Sequence, residues 1–203
     1  RFDEEVPRLL RKRGFMILGH GDIASVLVDR PDRIYFASGV SNSAETRESE
    51  YQREKDLLWE QDISKHLVYF SSLSIFYSDT RYVQHKRYME KLVKSSFDHY
   101  TIVRMGNIAW GLNPNTLINF ISNKIRTREP FDIQDVYRYV LEKDEFLYWI
   151  DLIPDWSCEM NIVGKRMKVK DIVREYCYPW RRFDGSFVSN NTFQELQVCF
   201  TDG

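Results

Sequence analysis

Residues 65–96 read KHLVYFSSLSIFYSDTRYVQHKRYMEKLVKSS. His66 to Phe70 is an apolar run of β-branched and aromatic residues, the mark of a buried strand. It stops at the hydroxyl pair Ser71 and Ser72. A short polar link follows, and a helical pattern then runs from Tyr82 to Ser96 with Tyr88, Met89, Leu92 and Val93 on its apolar side. Tyr82 and Lys86 are four apart, so a helix places them on one face, one turn from each other. A strand that ends in hydroxyls and feeds a helix carrying Tyr and Lys suits chemistry on an alcohol or ketone oxygen.

The flanking sequence repeats the alternation of strand and helix. Phe15 to Leu18 is a short apolar strand that ends at Gly19, His20 and Gly21, and Asp22 then opens a brief helical pattern through Ile23, Val26 and Leu27. The spacing is G-x-G-x-x-A, with Ala24 as the third small residue. Glycines let a backbone turn close to a pyrophosphate, and a following helix offers it free N–H groups and a positive end. Ile34 to Ala37 is a second buried strand running into the small residues of Ala37 to Ser43. Glu45 to Ile63 reads as a helix with Tyr51, Lys55, Leu58, Trp59 and Ile63 near one stripe. Glu48, Glu50, Arg53, Glu54 and Lys55 mark a solvated or subunit-facing side. Phe97 to Val103 returns as a strand and leaves through RMGNIAWG. Further on, helices are expected at Asn115–Arg126, Asp132–Leu141 and Met167–Tyr176, a strand at Glu145–Ile150, and a short apolar piece at Glu159–Val163. The tail after Tyr178 shows no clear pattern.

Such alternation predicts an α/β fold, a Rossmann-like parallel sheet with helices on both faces and a small C-terminal lobe. Residues 1–13 are expected to form an N-terminal arm, residues 14–126 the nucleotide-binding core, and residues 127–203 the lobe packed on it. Ligands of such sheets lie at the carboxyl ends of the strands. Gly19–Gly21, Ala37–Ser43, Ser71–Ser74 and Gly106–Gly111 all follow strands and should meet along one edge.

Composition narrows the choices. The 203 residues are 43% apolar and carry 29 basic and 30 acidic side chains, a formal net charge of −1. That is enough apolar material for a core. The even charge argues against nucleic acid as a partner. No run approaches the roughly 18 apolar residues of a membrane span. The charged start RFDEEVPRLLRKRG is not shaped like a signal peptide, which points to the cytoplasm. Cys158, Cys177 and Cys199 lack CxxC spacing and read as reduced thiols, and the four histidines show no ligand spacing, so no metal is expected.

Y-x-x-x-K by itself discriminates little, since it occurs at Tyr51/Lys55, Tyr82/Lys86 and Tyr139/Lys143. Only Tyr82/Lys86 follows a hydroxyl-ended strand, and the other two read as helix-surface pairs. A free tyrosine titrates near pH 10, and a neighbouring ammonium favours its phenolate. Such a phenol could exchange a proton with a substrate oxygen, Ser72 could hold that oxygen, and Lys86 could also donate to ribose hydroxyls.

G-x-G-x-x-A after the first strand, then FSS, YVQHK and RMGN…G, together resemble the short-chain dehydrogenase/reductase superfamily. The closest branch is the extended one, with its nucleotide-sugar epimerases and dehydratases. SSLSIF resembles that branch's hydroxyl-bearing stretch and puts Ser72 at the catalytic Ser/Thr, with Ser71 or Ser74 taking the role in a shifted register. RMGNIAWG resembles its R-x-x-N-x-x-G stretch, and MNIVGKRMKVKDIV resembles a segment of its substrate region. The resemblance implies Ser72, Tyr82 and Lys86 as catalytic residues. It implies NAD or NADP held by Gly19, Gly21, Asp22, Ile23, Ala37, Ser38 and Lys86. It also implies a nucleotide-linked sugar near Asn107 and Ser74, and a homodimer through helices 48–61 and 82–96.

The chain also departs from that family. Two further strand–helix units usually separate the glycine turn from the strand matched here to Ile34–Ala37. An acidic residue about 20 positions past the glycines normally binds the adenosine ribose. Here only Asp29, Asp32 and Glu45 stand near. Ile34–Ala37 is read as the family's fourth strand, the alternative being its second. Two functions remain open: an NAD(P)-dependent nucleotide-sugar enzyme, or a silent nucleotide-binding or regulatory module on a trimmed fold.

Overall fold

The computed structural model describes residues 16–177. The expected N-terminal arm and the tail after Tyr178 lie outside the described residues. Five strands form one parallel sheet: β1 (Ile17–Leu18), β2 (Arg33–Phe36), β3 (His66–Ser72), β4 (Tyr100–Met105) and β7 (Cys158–Ile162), in the order β1-β2-β3-β4-β7. Ile34 pairs with Leu67, Phe70 with Val103, and Val103 with Met160. Side chains alternate between the faces of a strand. Ile34, Phe36, Leu67, Tyr69 and Ile102 therefore build one core with Leu58, Met89 and Val93, while Tyr35, Val68, Phe70, Val103 and Met105 build another with Phe146 and Ile150. Burial on both faces is why these strands read as nearly unbroken apolar runs.

Helices α1 (Glu48–Trp59) and α2 (Arg81–Ser96) cover the first face, and α4 (Lys143–Asp151) covers the second. Glu48 and Glu50 suit the positive start of α1, and Thr80 caps α2 by accepting a hydrogen bond from the Val83 N–H. The buried stripe of α1 is Tyr51, Glu54 and Leu58, whereas Trp59 and Ile63 are exposed. This corrects the expected stripe, and it moves Glu54 from the solvated side to the interior. A second sheet, ordered β5-β6-β8, is made of β5 (Asn107–Ile108), β6 (Tyr137–Leu141) and β8 (Lys165–Lys168). β5 and β6 are parallel, and β8 is antiparallel to β6. Helix α3 (Leu117–Thr127) packs with this sheet through Ile118 and Ile121. Gly106 joins the sheets where a Cβ would stand 2.7 Å from the Val163 carbonyl oxygen and 2.9 Å from that of Tyr139.

Three expected elements differ. The stretch expected as a helix at Asp132–Leu141 holds strand β6, whose Tyr and Val residues favour a sheet. The stretch expected as a strand at Glu145–Ile150 lies within α4. Its aromatic content looks β-like, but Phe146 and Ile150 are buried one turn apart. The last expected helix divides into the end of β8, a short α5 (Val169–Ile172) and a π turn at Val173–Cys177.

The strand order bears on the open question of register. In a doubly wound sheet ordered 3-2-1-4-5-6, one strand lies beyond the second and two lie beyond the fourth. Here β3, β4 and β7 all lie beyond β2, which favours Ile34–Phe36 as the fourth strand. Among the described residues no strand lies outside β1. The connection over residues 19–32 contains only a 3-10 turn at Ala24–Val26 where a helix was expected.

The two sides of α1 should respond differently to truncation. Leu58→Ala is expected to cost about 2–5 kcal/mol in urea denaturation, as a large-to-small change in a packed core. Trp59→Ala, at an exposed position, should stay within about 0.5 kcal/mol.

Candidate functional site

Because β1 to β4 run parallel, the loops after them meet at one edge of the sheet. Gly19 has φ +120°, and a Cβ there would collide with the Ala37 carbonyl, so the exits of β1 and β2 touch. Gly21 is under no such constraint, since a Cβ there would meet nothing within 4 Å.

β3 delivers Ser72 to this edge. Its Oγ accepts from the Ser74 N–H at 3.2 Å and lies 2.9 Å from the Ser74 hydroxyl. Ser71 is committed elsewhere: its hydroxyl donates to Glu90 at 2.6 Å, and Glu90 is paired with Arg104. Tyr82, partly buried, has the Ser72 side chain beside its phenol. The Lys86 ammonium lies 5.8 Å from the centre of the Tyr82 ring. The structure therefore brings Ser72, Tyr82 and Lys86 together, and of the three candidate serines it favours Ser72 for this cluster.

The electrostatics differ from the expectation of an activated phenol. Burial raises the Tyr82 pKa above the ordinary tyrosine value. Lys86 and the nearby Ser72 hydroxyl oppose that rise, while Glu54 reinforces it. Glu54 is the residue that pattern reasoning missed. It is fully buried, and it accepts from the Val40 N–H at 2.7 Å, from the Tyr69 hydroxyl at 2.7 Å and from Lys86 at 3.1 Å, with His85 Nε2 at 3.0 Å. Burial alone would lift its pKa. Lys86, followed by the hydrogen bonds from His85, Val40 and Tyr69, instead holds it well below the usual carboxylate range. Lys86 is itself only 3% exposed and spends a second N–H on Tyr69 at 3.1 Å. A Cβ on Gly39 would stand 2.6 Å from Lys86 Nζ, so bare backbone roofs the pair. The signal was the position of Glu54, midway along a stripe from Tyr51 to Leu58.

The other candidates are largely engaged. Asp22 accepts from the Leu112 and Asn113 N–H groups, each at 2.9 Å, and its carbonyl accepts from the Trp110 indole at 3.0 Å. Ile23 and Ala37 pack on the second-face core. The Ser38 hydroxyl and carbonyl both accept from Arg53 at 3.1 Å. Asn107 donates to the Tyr139 carbonyl at 3.0 Å. The other two Y-x-x-x-K matches are not surface helix pairs: Tyr51 is buried with its hydroxyl on the Glu45 carbonyl, and Tyr139 lies on β6. Among the described residues no group of three or more His, Cys, Asp or Glu side chains could hold a metal, and no helix is long and apolar enough to cross a membrane. Cys158 and Cys177 are free thiols.

No protein-family model and no curated protein matches the sequence. Solved structures do. A crystal structure of UDP-galactose 4-epimerase is similar with a TM-score of 0.52 at 15% identity, covering 70% of this chain and 60% of that one. Bordetella bronchiseptica WbmG in complex with NAD gives 0.44 at 16% identity, with 68% and 55% covered. UDP-N-acetylglucosamine 4-epimerase from Methanobrevibacter ruminantium M1, in complex with UDP-N-acetylmuramic acid, gives 0.41 at 15%, with 67% and 57% covered. The likeness to UDP-galactose 4-epimerase is one of fold: this is a Rossmann-like α/β chain, and it spans 60% of that protein's length.

The Glu54–Lys86 pair has a measurable signature. Glu54→Gln leaves a buried ammonium without its counter-charge and should cost about 3–5 kcal/mol, whereas Glu54→Gln combined with Lys86→Met should cost less. The folded pKa of Glu54 is depressed, so its contribution is complete above the unfolded value of about 4.3 and falls away as pH drops through the folded value. Urea denaturation from about pH 7 down to pH 3 should show a steeper acid loss in the native chain than in Glu54→Gln.

Proposed function

We propose that this chain is an NAD(P)-dependent enzyme of the epimerase, dehydratase or reductase kind, acting on a nucleotide-linked sugar. The observation that carries the reading is the gathering of Ser72, Tyr82 and Lys86 at the carboxyl end of β3, with the Lys86 ammonium 5.8 Å from the centre of the Tyr82 ring. Tyr82 is the proton-transfer group. Its raised pKa keeps the phenol protonated at neutral pH, so it is set to donate a proton to a sugar oxygen. Ser72 holds that oxygen. Lys86 supplies positive charge beneath the ring, tempered by Glu54. The backbone at Gly19 and Ala37, with Ser72 and Tyr82, fits the nicotinamide riboside end of a cofactor, which when bound gives or takes the hydride. The adenosine end does not fit, since no described strand flanks β1 on its outer side. Substrate contacts fall to Ser74 and Asn107. The homodimer belongs to the same proposal, with α1 and α2 as its contact face and the exposed Trp59 and Tyr88 upon it.

A second reading, a nucleotide-binding or regulatory module without turnover, is favoured by one observation: Glu54 neutralises the ammonium that would activate Tyr82.

Thermal unfolding with NAD and with NADP tests the first reading. A ligand at about 100 times its Kd stabilises by about 2.7 kcal/mol, a shift of several degrees. Tyr82→Phe should keep that shift and lose turnover of any accepted nucleotide sugar by at least about 100-fold. No shift with either dinucleotide, in folded protein, overturns the cofactor-dependent enzyme. A shift without turnover in the native chain selects the silent module.

A further inference from the structure

We infer that the site grips a nicotinamide nucleotide by its nicotinamide mononucleotide half alone and leaves the adenosine half unheld. This rests on the nicotinamide reading above.

A dinucleotide lies across the point of a doubly wound sheet where the strand order reverses, one half on each side. Here, among the described residues, the order runs one way, β1-β2-β3-β4-β7, with β1 outermost. The missing side is an internal feature. Residues 19–32 pass from β1 directly to its neighbour β2 with one three-residue 3-10 turn between them.

The turn itself is unsuited to a pyrophosphate. A full helix start presents several unspent N–H groups and a dipole. Three residues make no such dipole, and the Ser25 N–H is already spent on the Gly21 carbonyl. A carboxylate stands there instead. Asp22 is pinned by the Leu112 and Asn113 N–H groups, which holds a carboxylate in the turn directly after the glycines. Gly111, at φ +91°, admits that carboxylate where a Cβ would collide with it. Trp110 closes over the turn, its indole donating to the Asp22 carbonyl and its ring 5.1 Å from that of Phe146.

Among the described residues no expected acid is free for the adenosine ribose either. Asp32 is paired with Arg30 and Arg33, and Glu45 with Arg47. Asp29 is exposed in the connection between β1 and β2, and no described strand lies beyond β1 to carry it into a site.

Calorimetric titration of the whole chain with NADH, with reduced nicotinamide mononucleotide and with ADP-ribose tests the inference. The expected result is that the first two bind with Kd values within about tenfold, and that ADP-ribose neither binds nor competes. NADH binding more than about tenfold tighter than the mononucleotide, or displacement of the mononucleotide by ADP-ribose, overturns the inference and leaves the enzyme reading standing. If neither nicotinamide species binds to folded protein, both fall.

Discussion

A carboxylate with no exposure to water sits between two helices and the sheet, and the arrangement of the site follows from keeping it charged. Glu54 comes from α1, Lys86 and His85 from α2, Tyr69 from β3, and the Val40 N–H from the loop after β2. Burying an ion costs several kcal/mol even after relaxation, so each partner must be in place at once. That requirement fixes the rotation of both helices against β3. It also sets the height at which Lys86 meets the ring of Tyr82. The same bonds that hold the ammonium in place also spend much of its charge. Ser72, Tyr82 and Lys86 stand together here around a phenol whose pKa burial raises, with Glu54 adding to the rise.

What the sequence reveals follows from how strongly each period is written. The strand HLVYFSS lies between two cores and is apolar throughout, and the Tyr82 helix has a wide apolar side. Their junction, and with it Ser72 and Tyr82, is legible without coordinates. Glu54 is not, because a glutamate among Glu50, Arg53 and Lys55 looks like one more solvated charge. Only the partner helix, which places Lys86 opposite, makes an interior position tolerable. The glycine turn misleads for a related reason. G-x-G-x-x-A specifies a tight turn, which Gly19 does form, but the helix that would give it phosphate chemistry depends on residues further on, and these make a single 3-10 turn. β6 and α4 were exchanged because short aromatic segments carry both periods, and the choice falls to packing against the second sheet and against Phe70.

The one-directional strand order has its own cost. β1 is two residues long and, among the described residues, pairs on one side only, through Ile17–Tyr35 and Leu18–Phe36. Its hold on the sheet is strengthened from elsewhere: by Ile17, Ile23 and Val26 packing on the second-face core, and by the bond from the Trp110 indole to the Asp22 carbonyl. Short, covered edges are the usual means by which sheets avoid pairing with foreign strands. Here the cover is supplied by the loop that follows β5.

The bonds between Asp22 and that loop span 90 and 91 residues of chain. Contacts so distant in sequence form only after the intervening sheet has closed the distance, because loop-closure entropy must first be met by other contacts. They belong to the last stage of folding, and in the native state they open without disturbing the strands beneath. The contact between Asp22 and the loop after β5 is thus expected to be less protected than the strands beneath it. Its amide hydrogens should exchange on the time scale of local opening, and those of β3 and β4 only when the sheet itself unfolds.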